Sequence, residues 1–196
     1  SLSKDGKNIF HDPAGELGLS PEAYYFIGGI MKHIKGMALI TNPLVNSYKR
    51  LVPGFEAPIH IAWSAFSRTS LIRVPHSRGE STRIELRCPD PSANPYLVLA
   101  ICLAAGLDGI QNKIVPPPQV TGDVFDMQCR EMGEKKANLL PADLGEAIAC
   151  FKEESFIREV LGKHISEKFI EEKEAEWASY CAQVSQWEIA SYLYKI

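Results

Sequence analysis

The chain has no excess of basic charge: 21 Lys and Arg stand against 24 Asp and Glu, a formal net charge of −3 with a pI near 6.0. Nothing general therefore draws it to nucleic acid or to an anionic membrane, and any anion it binds must be held locally. It also lacks paired cysteine motifs. Cys88, Cys102, Cys129, Cys150 and Cys181 are odd in number and widely spaced, which excludes a CxxC zinc or redox centre and reads as buried thiols in a reducing compartment. No apolar run approaches the roughly 20 residues that span a bilayer, so no membrane partner is expected. Repeats and low-complexity tracts are missing too. The start, Ser1-Leu2-Ser3-Lys4-Asp5-Gly6-Lys7, has neither a signal core nor a methionine, so a cytoplasmic location is expected and Ser1 reads as a cut end. What is present is a globular composition, 45% hydrophobic and 23% charged over 196 residues, far from that of a disordered chain.

The charge is uneven: residues 1–125 sum to +2 and residues 126–196 to −5. The break lies after Ile114-Val115-Pro116-Pro117-Pro118, a stiff extended connector, which divides the chain into units 1–118 and 119–196. In the first unit Ser20 caps a helix begun by Pro21, with Ala23, Phe26, Ile27, Ile30, Met31, Ile34, Met37 and Ala38 as its apolar stripe. Gly28-Gly29 within it allows close packing. Asn94-Pro95 opens a second helix with no charge before Asp108; Leu97, Leu99, Cys102, Leu103 and Leu107 are expected to bury it on nearly every side as the central helix. Between the two helices, residues 58–63, 71–74 and 82–88 read as antiparallel strands. The fold class is thus α+β, an antiparallel sheet with packed helices, followed by a helical C-terminal region. There, Ile165, Phe169, Lys173, Trp177, Tyr180 and Val184 mark one helical face, and Ser185-Gln186-Trp187-Glu188 is a capping box. The apolar tail around Trp187, Tyr192 and Tyr194 either docks on the chain's own core or grips a neighbouring subunit.

Chemistry concentrates in arginine. Six of eight arginines, Arg50, Arg68, Arg73, Arg78, Arg83 and Arg87, fall within the 38 residues 50–87, beside a single lysine, Lys49, which immediately precedes them. Guanidinium forks suit bidentate binding of carboxylate and phosphate, so a polyphosphate clamp and a salt-bridged strand face both fit. In Thr82-Arg83-Ile84-Glu85-Leu86-Arg87 the strand period puts Arg83, Glu85 and Arg87 on one face and Ile84 and Leu86 on the other. That face is either an ion-pair ladder or a carboxylate for a divalent metal flanked by phosphate-binding arginines. Glu56 lies near the tip of a Pro53-Gly54 turn, where a lone glutamate is ordinarily surface.

These segments carry a resemblance. NSYKRLVPGFEAP (46–58), Arg68 and Arg73 in RTSLIRVP, TRIELRCPDPSANPYL (82–97), AGLDGIQNKI (105–114) and the QVSQWEIASYL ending are together similar to type I glutamine synthetase. The match corresponds to the carboxy-terminal part of that enzyme's catalytic domain, of the glutamine synthetase and guanido kinase-like fold, starting just after the family's histidine motif. The resemblance implies ATP-dependent ligation of ammonia to the γ-carboxylate of L-glutamate through γ-glutamyl phosphate, with ATP and Mg2+ or Mn2+ as cofactors. By motif position, Arg50 resembles the glutamate-binding arginine and Glu56 the flap glutamate that helps to deprotonate ammonium. Arg68 resembles the residue touching the transferred phosphoryl group, Arg73 and Arg83 those holding nucleotide phosphates, and Arg87 one facing the glutamate substrate. Glu85 matches a metal ligand whose partner ligands lie upstream of this chain in the family. A homododecamer with active sites between subunits is implied as well.

Departures from the family pattern are Phe66-Ser67 before Arg68, Glu80 where a nucleotide-site lysine is common, and Val124-Phe125-Asp126 where one branch carries an adenylylated tyrosine. Glu80 reverses a charge, for which Arg78 is a candidate compensator. Two other functions fit the resemblance: a ligase joining glutamate to a polyamine, and a catalytically silent assembly module. A nucleic-acid module fits worst, because aromatic residues do not interleave with the arginines.

Overall fold

The computed structural model describes residues 1–52, 57–67, 69–121 and 139–195. A hairpin opens the chain, β1 (Ser3–Lys4) against β2 (Lys7–Asn8), turned by Asp5 and Gly6, both at positive φ. Asp-Gly is the pair that adopts this left-handed turn most readily.

Helix α1 runs from Pro21 to Thr41, as expected from Ser20, whose hydroxyl accepts from the Ala23 N–H. The expected stripe is real: Ala23, Ile27, Ile30, Ile34, Met37 and Ala38 are buried, and Phe26 and Met31 pack partly against the core. In its last turns Gly36 to Thr41 are all buried, so α1 is covered all round there. Helix α2 spans Pro95–Gln111, capped by Asn94, whose side chain accepts from the N–H groups of Tyr96 and Leu97. The two helices cross where glycines meet. A Cβ on Gly29 would lie 2.1 Å from the Ala105 carbonyl oxygen, and one on Gly109 would lie 2.0 Å from that of Tyr25. The close packing expected from Gly28-Gly29 is therefore present, and it is backbone against backbone.

Burial of α2 on nearly every side is not what the structure shows. Ile101, Ala105, Gly106 and Gly109 are buried and Leu97 and Cys102 partly so, while Tyr96 (82% exposed), Leu99 (68%), Leu103 and Leu107 face outward. The lack of charge before Asp108 gave no face away, and among the described residues the neighbours cover only one. The central helix among the described residues is α1, which packs against α2, α3 (Leu144–Glu153) and α4 (Ser155–Leu161).

The sheet contains β3 (Trp63–Ser64), β4 (Ile72–Arg73) and β5 (Glu85–Leu86), in that order. Its strands fall at the three expected runs, β3 reaching one residue past the first, but the sheet is mixed. The β4–β5 pair is antiparallel, whereas β3 and β4 are parallel, with Ile72 N–H donating to Ala62 and Val74 N–H to Ser64. The chain reverses twice between β3 and β4 because serine hydroxyls satisfy the turning backbone: Ser64 Oγ accepts from the N–H groups of Phe66 and Ser67, and Ser70 Oγ donates to Ile72 O. The connector after α2 lies along β3. Trp63 Nε1 donates to Pro117 O at 2.7 Å, Ser64 Oγ to Val120 O, and Val120 N–H to Trp63 O.

Beyond it, α3 is capped by Asp143 and buries Leu144, Ala147, Ile148 and Phe151 against α1. Helix α5 (Lys163–Cys181) buries only part of its expected face. Phe169 and Trp177 are packed and Lys173 is buried, its Nζ 2.8 Å from Glu176 and over the Phe169 ring, but Ile165, Tyr180 and Val184 are exposed. Ser185 and Glu188 form the expected capping box that opens α6 (Gln186–Tyr192). Among the described residues the tail finds no core to dock on: Trp187 is 67% and Tyr194 90% exposed.

A buried junction ties the halves together. His33 of α1 is 3% exposed, with Nε2 2.8 Å from Asp108 Oδ2 of α2 and Nδ1 3.3 Å from Glu154 Oε1 at the start of α4, the latter without hydrogen-bond alignment. Its ring stacks on Phe156. Gly36, one turn along α1, makes room for the Glu154 side chain.

Candidate functional site

Register decides which arginines meet. Arg73 on β4 stands directly opposite Glu85 on β5, and Arg83 precedes Glu85 by two residues on the same face. Arg73 grips Glu85 Oε2 with Nε at 2.8 Å and Nη2 at 2.6 Å; Arg83 grips Oε1 with Nε at 3.0 Å and Nη2 at 2.9 Å. Partial burial pushes the Glu85 carboxyl up, yet the hydrogen bonds and charges of Arg73 and Arg83 outweigh it and hold the pKa below the usual glutamate range. Two guanidinium groups share one carboxylate, which leaves a net positive charge at a partly open surface. All three side chains remain accessible, between 27% and 44%.

Arg50, which follows a short helical turn at Val45–Lys49, reaches the far end of the Glu85 segment with its side chain. Its Nη2 donates to Cys88 O at 2.5 Å and to Asn42 Oδ1 at 3.2 Å. Asp90 carries the nearby negative charge, lowered in pKa because bonds from Ser92 and Ser47 and the charge of Arg50 overcome its partial burial. Arg87, one residue before Cys88, is half-buried, and its N–H donates to Leu71 O. Glu56, Arg68 and the Val124-Phe125-Asp126 stretch lie outside the described residues.

Arg78 turns away from this cluster. It donates through Nε and Nη1 to the carbonyls of Leu17, Pro75 and Ser77, so it clasps backbone, while Glu80 sits on the short turn Gly79–Ser81. Sequence reasoning missed Asn42 and Asp90: Thr41-Asn42-Pro43 reads only as a helix stop, and no local signal shows that the stop faces Arg50.

Comparison with known proteins gives the arrangement its context. Residues 1–192 match the family model described as glutamine synthetase, catalytic domain. The chain belongs to the glutamine synthetase family. It is 54% identical over 195 residues to a glutamine synthetase of Clostridium saccharobutylicum, covering 100% of this chain and 44% of that one. A glutamine synthetase of Methanosarcina mazei is 52% identical over 193 residues (98% of this chain, 43% of the relative), and one of Thermus thermophilus 50% with the same coverage. Among solved structures, a GmaS/ADP complex superposes with a TM-score of 0.84 at 39% identity, covering 96% of this chain and 43% of that one. GmaS without ligand gives 0.79 at 38% identity, covering 96% and 42%. The chain thus spans less than half the length of the relatives it matches, and the α+β architecture of the glutamine synthetase catalytic domain is confirmed for that part.

The donor chemistry suits the cofactors that the family implies. Glu85 is an oxygen donor of the kind Mg2+ and Mn2+ prefer, and Arg73 and Arg83 suit phosphate oxygens. Among the described residues no three His, Cys, Asp or Glu side chains gather to hold a metal, and both Glu85 oxygens are held by arginines. The described helices include none long and apolar enough to cross a membrane.

Proposed function

We propose that the chain supplies the arginine-rich strands of a ligase that joins ammonia to the γ-carboxylate of L-glutamate at the expense of ATP. The observation that carries this reading is the Arg73-Glu85-Arg83 cluster, on adjacent strands in a chain of this family. Phosphoryl transfer between two anions develops charge on the phosphoryl oxygens. Guanidinium groups already fixed in place stabilise that charge without reorganising.

In this reading Arg73 and Arg83 bind the nucleotide phosphates, Arg68 the group being transferred, and Arg50 and Arg87 the glutamate substrate. Glu85 is the chain's ligand to a divalent cation, Mg2+ or Mn2+, which when bound neutralises phosphate charge. Glu56 closes over the site and takes a proton from ammonium. The remaining ligands belong to the rest of the catalytic domain, so the 196-residue chain alone makes no glutamine. Units 1–118 and 119–196 work as one domain, and the enzyme acts in the cytoplasm. The exposed tail from Trp187 to Tyr194 supports the multi-subunit assembly that the family implies, with active sites between subunits.

The test is phosphate release from ATP with Mg2+ and glutamate, using the chain at the full length of its relatives and comparing ammonium with a panel of polyamines. Ammonium-dependent turnover is expected, because relatives named glutamine synthetase stand at 50% identity or more and GmaS at 39%. Turnover with a larger amine alone would reassign the product. Silence with every amine would make the chain an assembly module.

A further inference from the structure

We propose that Asn42, the C-cap of α1, is a positioning residue that aims Arg50 for substrate binding. This inference rests on the reading that Arg50 takes the glutamate substrate's carboxylate. Arg50 is a long, half-buried side chain on an irregular segment, and unaided it would sample many rotamers. Two acceptors fix it. One is a main-chain oxygen, Cys88 O; the other is Asn42 Oδ1, fully buried and delivered by a rigid helix end.

The amide orientation of Asn42 follows from its neighbours. Thr41 Oγ1 spends its proton on the carbonyls of Met37 and Ala38, so toward Asn42 it can only accept, and Asn42 Nδ2 donates to it at 3.0 Å. The amide oxygen must then face Arg50. The same helix end anchors the other side of the group, since Asp90 N–H donates to Thr41 O at 2.8 Å and the Asp90 carboxylate lies near the guanidinium. With Nη2 committed twice, Nε of Arg50 is buried without a hydrogen-bond partner among the described residues. A donor held out of water and unpaired is costly unless something completes it, which is what a binding group waiting for an anion looks like. Threonine and asparagine at 41 and 42 therefore work as a relay from the helix backbone to a substrate-binding charge.

The experiment measures glutamate affinity by titration calorimetry, and separately glutamate KM, ATP KM and kcat, on the chain at the full length of its relatives. Arg50→Lys is expected to weaken glutamate about tenfold or more, because an ammonium cannot reproduce the fork. Asn42→Ala should weaken glutamate about fivefold, with kcat within about twofold and ATP KM unchanged. In an Arg50→Lys background Asn42→Ala should add less than about twofold, since the two act through one contact. Thr41→Val, nearly the same size, should show the Asn42→Ala pattern more weakly and serves if Asn42→Ala does not fold.

Loss of glutamate and ATP affinity in equal measure, unchanged glutamate affinity in both Asn42→Ala and Thr41→Val, or full additivity with Arg50→Lys would overturn the positioning role. Unchanged glutamate affinity in Arg50→Lys itself would instead remove Arg50 from the substrate site, and the inference with it.

Discussion

Arg73 and Glu85 are directly opposed residues of an antiparallel strand pair, with Nη2 and Oε2 2.6 Å apart. Glu85→Gln should cost little in folding, about 1 kcal/mol or less, because the three side chains are partly solvated and exposed pairs are weak. In the full-length enzyme the same change should lower ATP-dependent phosphate release at least about 100-fold, since Glu85 is read as a cation ligand. Thermal unfolding and turnover, measured on one preparation, separate the two effects.

The His33–Asp108 junction gives the opposite balance. His33→Ala removes a buried ring that stacks on Phe156 and leaves Asp108 with only Lys32 and Asn112, so a stability loss of about 2–4 kcal/mol is expected in denaturant melts.

Acid should reveal Asp108. Partial burial raises its pKa, but bonds and charges from His33 and Lys32 prevail and lower it from 3.8. A carboxylate with a depressed folded pKa contributes stability above its unfolded pKa and loses that contribution as pH falls through the folded value. Asp108→Asn should therefore be less stable than the parent at pH 6, with the gap narrowing as pH drops below about 4. Parallel melts across pH 3 to 7 measure it, and a constant gap would mean that the Asp108 charge is not involved.

At the helix crossing, Gly109→Ala would push a methyl group against the backbone of Tyr25 and Gly29, which cannot rotate away. A loss of more than about 2 kcal/mol is expected. Gly6→Ala differs: nothing surrounds that position, and only its positive φ resists, at about 1 kcal/mol.

Thiol labelling should follow exposure. Burial pushes Cys88 and Cys102 up to about 12, while Cys181 is exposed at the end of α5. Of the four described cysteines, Cys181 should react first with an aromatic disulfide reagent and Cys88 only on unfolding.

Local chemistry was legible in the sequence, and partners distant along the chain were not. Ser20, Asn94 and Ser185 announced their helices because a cap and its N–H groups lie within a few residues. The 83-85-87 alternation likewise placed Arg83 beside Glu85. Which face of α2 would be buried was hidden, because an uncharged helix has no polar side to mark the exterior. The parallel pairing of β3 with β4 was hidden too, since it hangs on Ser64, Ser67 and Ser70 folding their own backbone rather than on any apolar period. The Asp5-Gly6 hairpin carries the right turn pair, but lysines flank it and mask the strands. Asn42 could not be found in advance, because its partner stands eight positions away across a helix end.

The connector from Pro116 to Val120 has a directional consequence. Proline has no N–H, so a triplet laid against β3 accepts from Trp63 but offers no ladder of its own to a newcomer. That margin of the sheet is therefore a poor template for a stray strand. Among the described residues β5 has a neighbour on one side only, so any growth of the sheet is steered to the margin that bears Glu85.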